Sequence, residues 1–209
     1  MARPRQPMLS RERIVSAALA LVDAEGLDAV STRRLAIELG VSGPSLYNHV
    51  ATKDDLLDAV VDAVVGEVDL SMFPNPDWRG ALDAWARSYR ASLAAHPGVI
   101  PVIPSRVGRR PNALRLADAV FGGLVDAGWP RREATRVGAL MRYFITGSAL
   151  GSFAGGFPED ATVYQGGDYP HLGEAHLLAR RQTEIDESAF DTGLQALLDG
   201  LELRFKSFA

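Results

Sequence analysis

Thr32-Arg33-Arg34-Leu35-Ala36-Ile37-Glu38-Leu39-Gly40-Val41-Ser42-Gly43-Pro44-Ser45-Leu46-Tyr47-Asn48-His49-Val50 is the stretch on which the fold turns. Ser31 or Thr32 can cap a short helix whose inner face is Leu35, Ala36 and Leu39, and Gly40 ends it. Val41 plugs the gap that follows. Ser42 is a good N-cap for a next helix reaching to about Val50. Pro44 is tolerated in its first turn, where its missing N–H has no intrahelical partner. Two short helices around Gly40-Val41 have the size and spacing of a helix-turn-helix, whose second helix lies in the major groove of DNA. The outer face of that second helix presents Ser45, Asn48 and His49, with Tyr47 one step round, while Leu46 and Val50 point inward. Asn can pair with both N6 and N7 of adenine, and Ser and His can donate to or accept from base edges. Any helical hairpin has one polar face, so the pattern alone fits a purely structural hairpin equally well.

Working outward, Ile14, Ala17, Ala18, Leu21 and Val22 recur on one helical face and stop before Glu25-Gly26, which makes helix one. A fourth helix starts near Lys53 and runs to about Asp69 with Leu56, Leu57, Val60, Val61, Val64 and Val68 inside. Pro74 and Pro76 then mark a boundary, because proline removes a donor and disfavours helix in the residue before it. Four longer helical stretches follow, at about Asp77 to Ala95, Asn112 to Ala127, Pro130 to Phe153 and Glu187 to Phe208, and Gly155 to Tyr169 reads as a mobile loop. The expectation is an all-α chain in three parts. Residues 1–52 form a three-helix DNA-binding head, 53–70 a connecting helix, and 71–209 a larger ligand-binding and dimerisation domain.

The bulk numbers agree with a head plus a body: 209 residues, 47% hydrophobic, 23% charged, and no long low-complexity tract. No apolar run is long enough to span a membrane, and Leu9-Ser10-Arg11-Glu12-Arg13 stands where a signal peptide needs an apolar stretch. Zero cysteine excludes disulfides and thiolate metal sites. A cytoplasmic location is the expectation. Net charge is −4, yet through Lys53 seven bases face five acids, so the head is the basic part of an acidic molecule.

This stretch, with Lys53 and Leu56-Leu57 after it, resembles the head of the TetR family of regulators. The family motif is a Thr-Arg-x-Leu-Ala helix, a Leu-Gly-Val turn, a Tyr-x-His recognition helix and a Lys opening the next helix. Thr32, Arg33, Leu35, Ala36, Leu39, Gly40, Val41, Tyr47, His49 and Lys53 supply every element. The resemblance implies that Arg33, Pro44, Ser45, Asn48 and His49 meet bases or their sugars and that Thr32, Tyr47 and Lys53 meet phosphates. Gly43 belongs to the same DNA-facing surface; it stands where the tetracycline repressor has a long polar base-reading residue, which implies a different operator. The body is similar to the tetracycline-repressor subclass at Trp78, Ser88-Tyr89-Arg90, His96, Gly128-Trp129 and the stretch from Phe190 to Glu202. Its drug site departs from the pattern. Trp85 and Tyr89 replace an Asn and a Phe, Ile103 replaces the metal-binding His, and Gly151 replaces a Glu, so the resemblance implies the architecture without the tetracycline–magnesium site.

Phe190, Leu194, Leu197, Leu201, Phe205 and Phe208 make an apolar stripe at helical period. It serves either an intrachain core or a four-helix homodimer interface with the helix around Arg136 to Phe153, where Gly147, Ser148 and Gly151 let helices approach. DNA reading favours the dimer, because one short helix covers too few base pairs, whereas two heads match a palindrome. Trp85, Tyr89, Phe121, Tyr143 and Phe144, with Ile103 and Leu124, are the candidate wall for a small, mostly apolar effector; plain core is the alternative. His96 reads as a helix C-terminal cap. His171 and His176 are five apart and share no helix face, so no metal and no cofactor is expected. No nucleophile triad, phosphate loop or paired-carboxylate signature points to an enzyme. A repressor of this kind is the expected function, with an activator of the same fold or a dimeric ligand carrier as alternatives.

Overall fold

Ser10 opens the folded chain: its hydroxyl accepts the Arg13 N–H and caps α1 (Arg11–Glu25). The computed structural model describes residues 9–105, 110–165 and 167–208. After α1 come α2 (Thr32–Leu39), α3 (Gly43–Tyr47), α4 (Lys53–Val65), α5 (Trp78–Ala95), α6 (Pro111–Asp126), α7 (Arg131–Ala149) and α8 (Gln182–Lys206), with 3-10 turns between several of them and no strand among the described residues. The all-α expectation holds: a helix-turn-helix head precedes a larger helical part.

Several helix ends differ from the sequence reading. α3 stops at Tyr47 instead of about Val50, and the N–H groups of His49 and Val50 both return to the Leu46 carbonyl. α4 stops at Val65, four residues early, where the buried Ser92 hydroxyl donates to the Val64 carbonyl. α7 ends at Ala149 instead of Phe153, and α8 starts at Gln182 instead of Glu187. Ahead of it, the Gly155–Tyr169 stretch contains the 3-10 turn Ala161–Tyr164, and the Tyr164 hydroxyl donates to the Pro158 carbonyl.

The described chain separates into two units. One gathers the residues up to Val68 together with Ser92–Leu116, and the other Asp69–Ala91 with the residues from 117 onward. Helices α5 and α6 contribute to both. Nothing in the sequence pattern announced that residues 92–116 join the head-side unit; contacts distant in sequence draw them there. Asp62 of α4 accepts the backbone N–H groups of Asn112 (3.0 Å) and Ala113 (3.1 Å), capping α6, and the Asn112 amide donates to the Asp62 carbonyl at 2.9 Å. Arg110, itself buried, donates to Asp58 at 2.5 Å. A buried carboxylate that answers otherwise orphaned helix N–H groups holds these elements in place.

In the head-side unit Ile14, Ala18 and Val22 of α1 are buried with Leu35, Leu46, Leu56, Val60 and Leu93. In the other unit the buried residues include Leu82, Trp85 and Ala86 of α5, Met141 and Ile145 of α7, and four residues of α8. Those four are Phe190, Leu194, Leu198 and Leu201. Leu198 takes the place expected for Leu197, which lies half-buried at the margin of an arc centred on Leu194 and Leu201, and Phe208 at the helix end is 42% exposed. α7 and α8 are also joined by charge. Glu133 accepts two hydrogen bonds from Arg204, at 2.7 and 2.9 Å, and one from Arg136 at 2.6 Å. The Arg204 bonds, then the Arg136 charge, hold its carboxyl below the ordinary carboxylate range.

Candidate functional site

The turn between α2 and α3 sets the geometry of the head. Ser31 caps α2 by accepting the Arg34 N–H, and Gly40 closes it in the left-handed conformation at φ 66°. A side chain is disfavoured in that conformation, so glycine is needed for the chain to turn there. The Val41 N–H returns to the Ala36 carbonyl at 2.9 Å and locks the turn. α3 buries Leu46, with Val50 just beyond it, and leaves Tyr47 and Asn48 exposed and His49 half-buried. These are the two faces expected of a recognition helix. Arg11 of α1 donates to the His49 carbonyl at 2.9 Å and fastens the end of α3 to the body of the head.

Two hollows flank α3. Thr32, Tyr47 and Lys53 line one of about 430 Å³, and these are the three residues that the resemblance assigns to phosphates. Lys53 opens α4, whose N-terminus is capped by the Thr52 hydroxyl accepting the Asp55 N–H at 3.0 Å. Lys53 brings a cation to this helix N-terminus, whose first turn also carries Asp54 and Asp55. Thr32, Arg33, Ile37 and Gly43 line the other hollow, of about 560 Å³. Ser45 is engaged locally, its hydroxyl 2.7 Å from that of Ser42, and Pro44 is exposed in the first turn of α3. The residue that sequence reading passed over is Ile37, an apolar side chain 70% exposed between these polar neighbours. The α2 pattern signalled it: Ile37 lies outside the Leu35–Ala36–Leu39 face.

The proposed sensor residues fall in different places. Trp85 and Tyr89 are buried and stacked, with ring centroids 6.2 Å apart, and Leu124 is fully buried. Phe121 is half-buried against Gly138, and Phe144, also half-buried, stacks on Phe190 at 5.2 Å. Ile103 is buried in the other unit. Tyr143 faces outward and is 73% exposed, because Met141 and Ile145 on either side take the inner face of α7. The Trp85 indole N–H is buried with no acceptor among the described residues. Trp129 shares that condition, and its ring stands at 85° to Trp78 with centroids 5.2 Å apart. Tyr89 lies at only 27° to Trp85, so its ring face is not turned toward the in-plane indole N–H.

His96 directly follows the last residue of α5, where its backbone N–H returns to the Leu93 carbonyl at 3.2 Å, while its ring turns to two carboxylates. Its ring nitrogens lie 2.9 Å from an Asp23 oxygen and 3.2 Å from a Glu67 oxygen, bridging α1 and the residues after α4. Among the described residues no three His, Asp or Glu side chains gather as a metal site, and no helix is long and apolar enough to cross a membrane.

Comparison with known proteins matches residues 14–60 to the family of bacterial regulatory proteins called the tetR family, and residues 73–205 to the tetracyclin repressor-like C-terminal domain. An HTH-type transcriptional regulator of Saccharopolyspora erythraea is 38% identical over 143 residues, 68% of this chain and 61% of its own length. The class A tetracycline repressor protein from transposon 1721 of Escherichia coli is 33% identical over 204 residues, covering 94% of this chain and 92% of the repressor. Among solved structures, the Streptomyces coelicolor TetR family protein ActR in complex with actinorhodin superposes with a TM-score of 0.75 at 32% identity, over 95% of this chain and 99% of that one.

Proposed function

Since this chain belongs to the TetR family of DNA-binding transcription regulators, we propose that it acts as a homodimeric repressor released from a palindromic operator by a small, mostly apolar effector. The observation that carries the DNA half is the convergence of Thr32, Tyr47 and Lys53 on one hollow beside the exposed face of α3. Phosphate contacts made there orient the helix, and Asn48, His49 and Arg33 are left to meet base edges. Regulation is the activity assigned to it, in the cytoplasm, where operator DNA is met.

Dimerisation is supported by surface that a single chain leaves uncovered. Leu140 and Tyr143 of α7 and Leu150 just past its end follow one face and are 40%, 73% and 64% exposed, and Leu203 of α8 is 72% exposed. Gly147 on that face of α7 and Gly200 on α8 have open space where a Cβ would stand. Apolar rows interrupted by small residues suit close, two-fold helix packing.

The effector half is supported by the orphaned Trp85 N–H. A buried donor without an acceptor costs on the order of 1–3 kcal/mol, and a ligand oxygen would answer it. ActR is solved in complex with actinorhodin; for this chain, an aromatic compound carrying an acceptor oxygen such as a carbonyl, to lie against the Trp85–Tyr89 pair and meet the indole N–H, is the effector chemistry we assign. An effector that prefers the DNA-incompatible conformation by about 100-fold shifts the equilibrium by roughly 2.7 kcal/mol.

Selection of duplexes from a random pool by the purified protein tests the reading. Enrichment of a palindrome whose affinity falls steeply with salt is expected, since phosphate contacts release counterions. Absence of any enriched sequence at near-physiological ionic strength refutes it. A bound palindrome that no carbonyl-bearing aromatic compound releases refutes the effector half alone.

A further inference from the structure

We propose that Ile37 reads the 5-methyl group of a thymine in the operator and so helps to determine sequence specificity. The inference rests on the DNA-binding reading above and adds a residue to which the resemblance assigns no role. Among the described residues up to Ile103, the exposed large apolar or aromatic side chains are Ile37 and Tyr47, at 70% and 56%. Both flank α3. The packing of α2 does not call for an isoleucine there, because its buried residues are Leu35 and Ala36, and a β-branched residue is a weaker helix former than the Lys, Glu or Gln usual on a solvent face.

Ile37 stands one turn beyond Arg33, so the two share a helix face, and both line the hollow that Gly43 borders. A Cβ at Gly43 would meet nothing within 4 Å. The first residue of α3 therefore leaves this hollow open, and Ile37 is the large aliphatic group at its edge. In the major groove the thymine methyl is the apolar member of the base-edge code, and aliphatic side chains are its partners. A phosphate would be served by a cation and an adenine edge by an amide; a branched hydrocarbon serves neither.

The test uses the full chain and the duplex that it selects. Each thymine in a half-site, with its symmetry mate, is replaced by deoxyuridine, which lacks only the methyl group, and Kd is measured for the parent, Ile37→Val and Ile37→Ala. One position is expected at which losing the methyl weakens the parent about fourfold per half-site. The same replacement should be silent in Ile37→Ala and intermediate in Ile37→Val. Because the side chain is exposed, both variants should keep the parent's thermal transition. Deoxyuridine without effect at every thymine, or with undiminished effect in Ile37→Ala, overturns the proposal and leaves DNA binding standing. If no duplex is selected at all, the reading beneath it fails first.

Discussion

In the head, the surface around α3 is polar apart from Ile37: Arg33, Asn48 and Lys53 are exposed around a small, well-buried centre of Leu35, Leu46 and Leu56. In the body, Leu140 and Tyr143 of α7 and Leu150 just past its end face outward, and Leu203 of α8 is equally uncovered. Each region leaves uncovered what a different partner would complete. Charged and hydrogen-bonding groups remain hydrated in the free protein and suit a polyanion whose association depends on salt. Exposed hydrocarbon has no comparable partner in water, and another protein surface is what removes it. The head thus suits a reversible contact and the body a lasting one.

The contrast breaks most visibly at the body. Leu150→Glu with Leu203→Glu alters two exposed positions, so the single chain should keep its helix content, but sedimentation should show a monomer. Operator affinity should then fall by roughly 10²–10⁴-fold, because two linked heads no longer act together. A dimeric double variant would move the interface elsewhere. Tyr47→Ala and Lys53→Ala should weaken binding to all duplexes alike, and Lys53→Ala should lower the log–log salt slope by about one per head. Titrations at four salt concentrations would show it. Asn48→Ala should lose about 1–3 kcal/mol of discrimination at one base pair while other positions keep theirs, and unchanged binding to every operator variant would remove Asn48 from base reading.

The smallest effect sharpens the body side. Because the Glu133 pKa is lowered chiefly by Arg204, its stabilising contribution is complete above the ordinary carboxylate value and is lost as pH falls through the lowered one. Glu133→Gln should therefore lower Tm near neutral pH, and the gap from the parent should close below about pH 4. Parallel melting curves across that range would contradict the assignment.

The head was legible because its determinants are local. Ser31 at an N-cap, Gly40 in a left-handed turn, and Leu35, Ala36 and Leu46 on inner faces each act within a few residues, so order in the chain carries the information. Ile37 was legible too, as an apolar residue outside that face, although its exposure became a measurable fact only in the structure. The sensor wall was less legible. Helical period places Trp85 and Tyr89 inside, yet it could not separate Tyr143 from the inward Met141 and Ile145, because which arc of a helix is buried depends on its neighbours. His96 illustrates the same point: its carboxylate partners, Asp23 and Glu67, lie 73 and 29 residues away.

By itself, the sequence determined the helical class, the helix-turn-helix and its polar face, since capping, period and turn chemistry are short-range. Tertiary structure alone decided that Asp62 caps α6, that residues 92–116 join the head-side unit, and that the Trp85 N–H meets no acceptor among the described residues. Those outcomes depend on which distant groups arrive within hydrogen-bonding reach, and only the closed packing of the chain sets that distance.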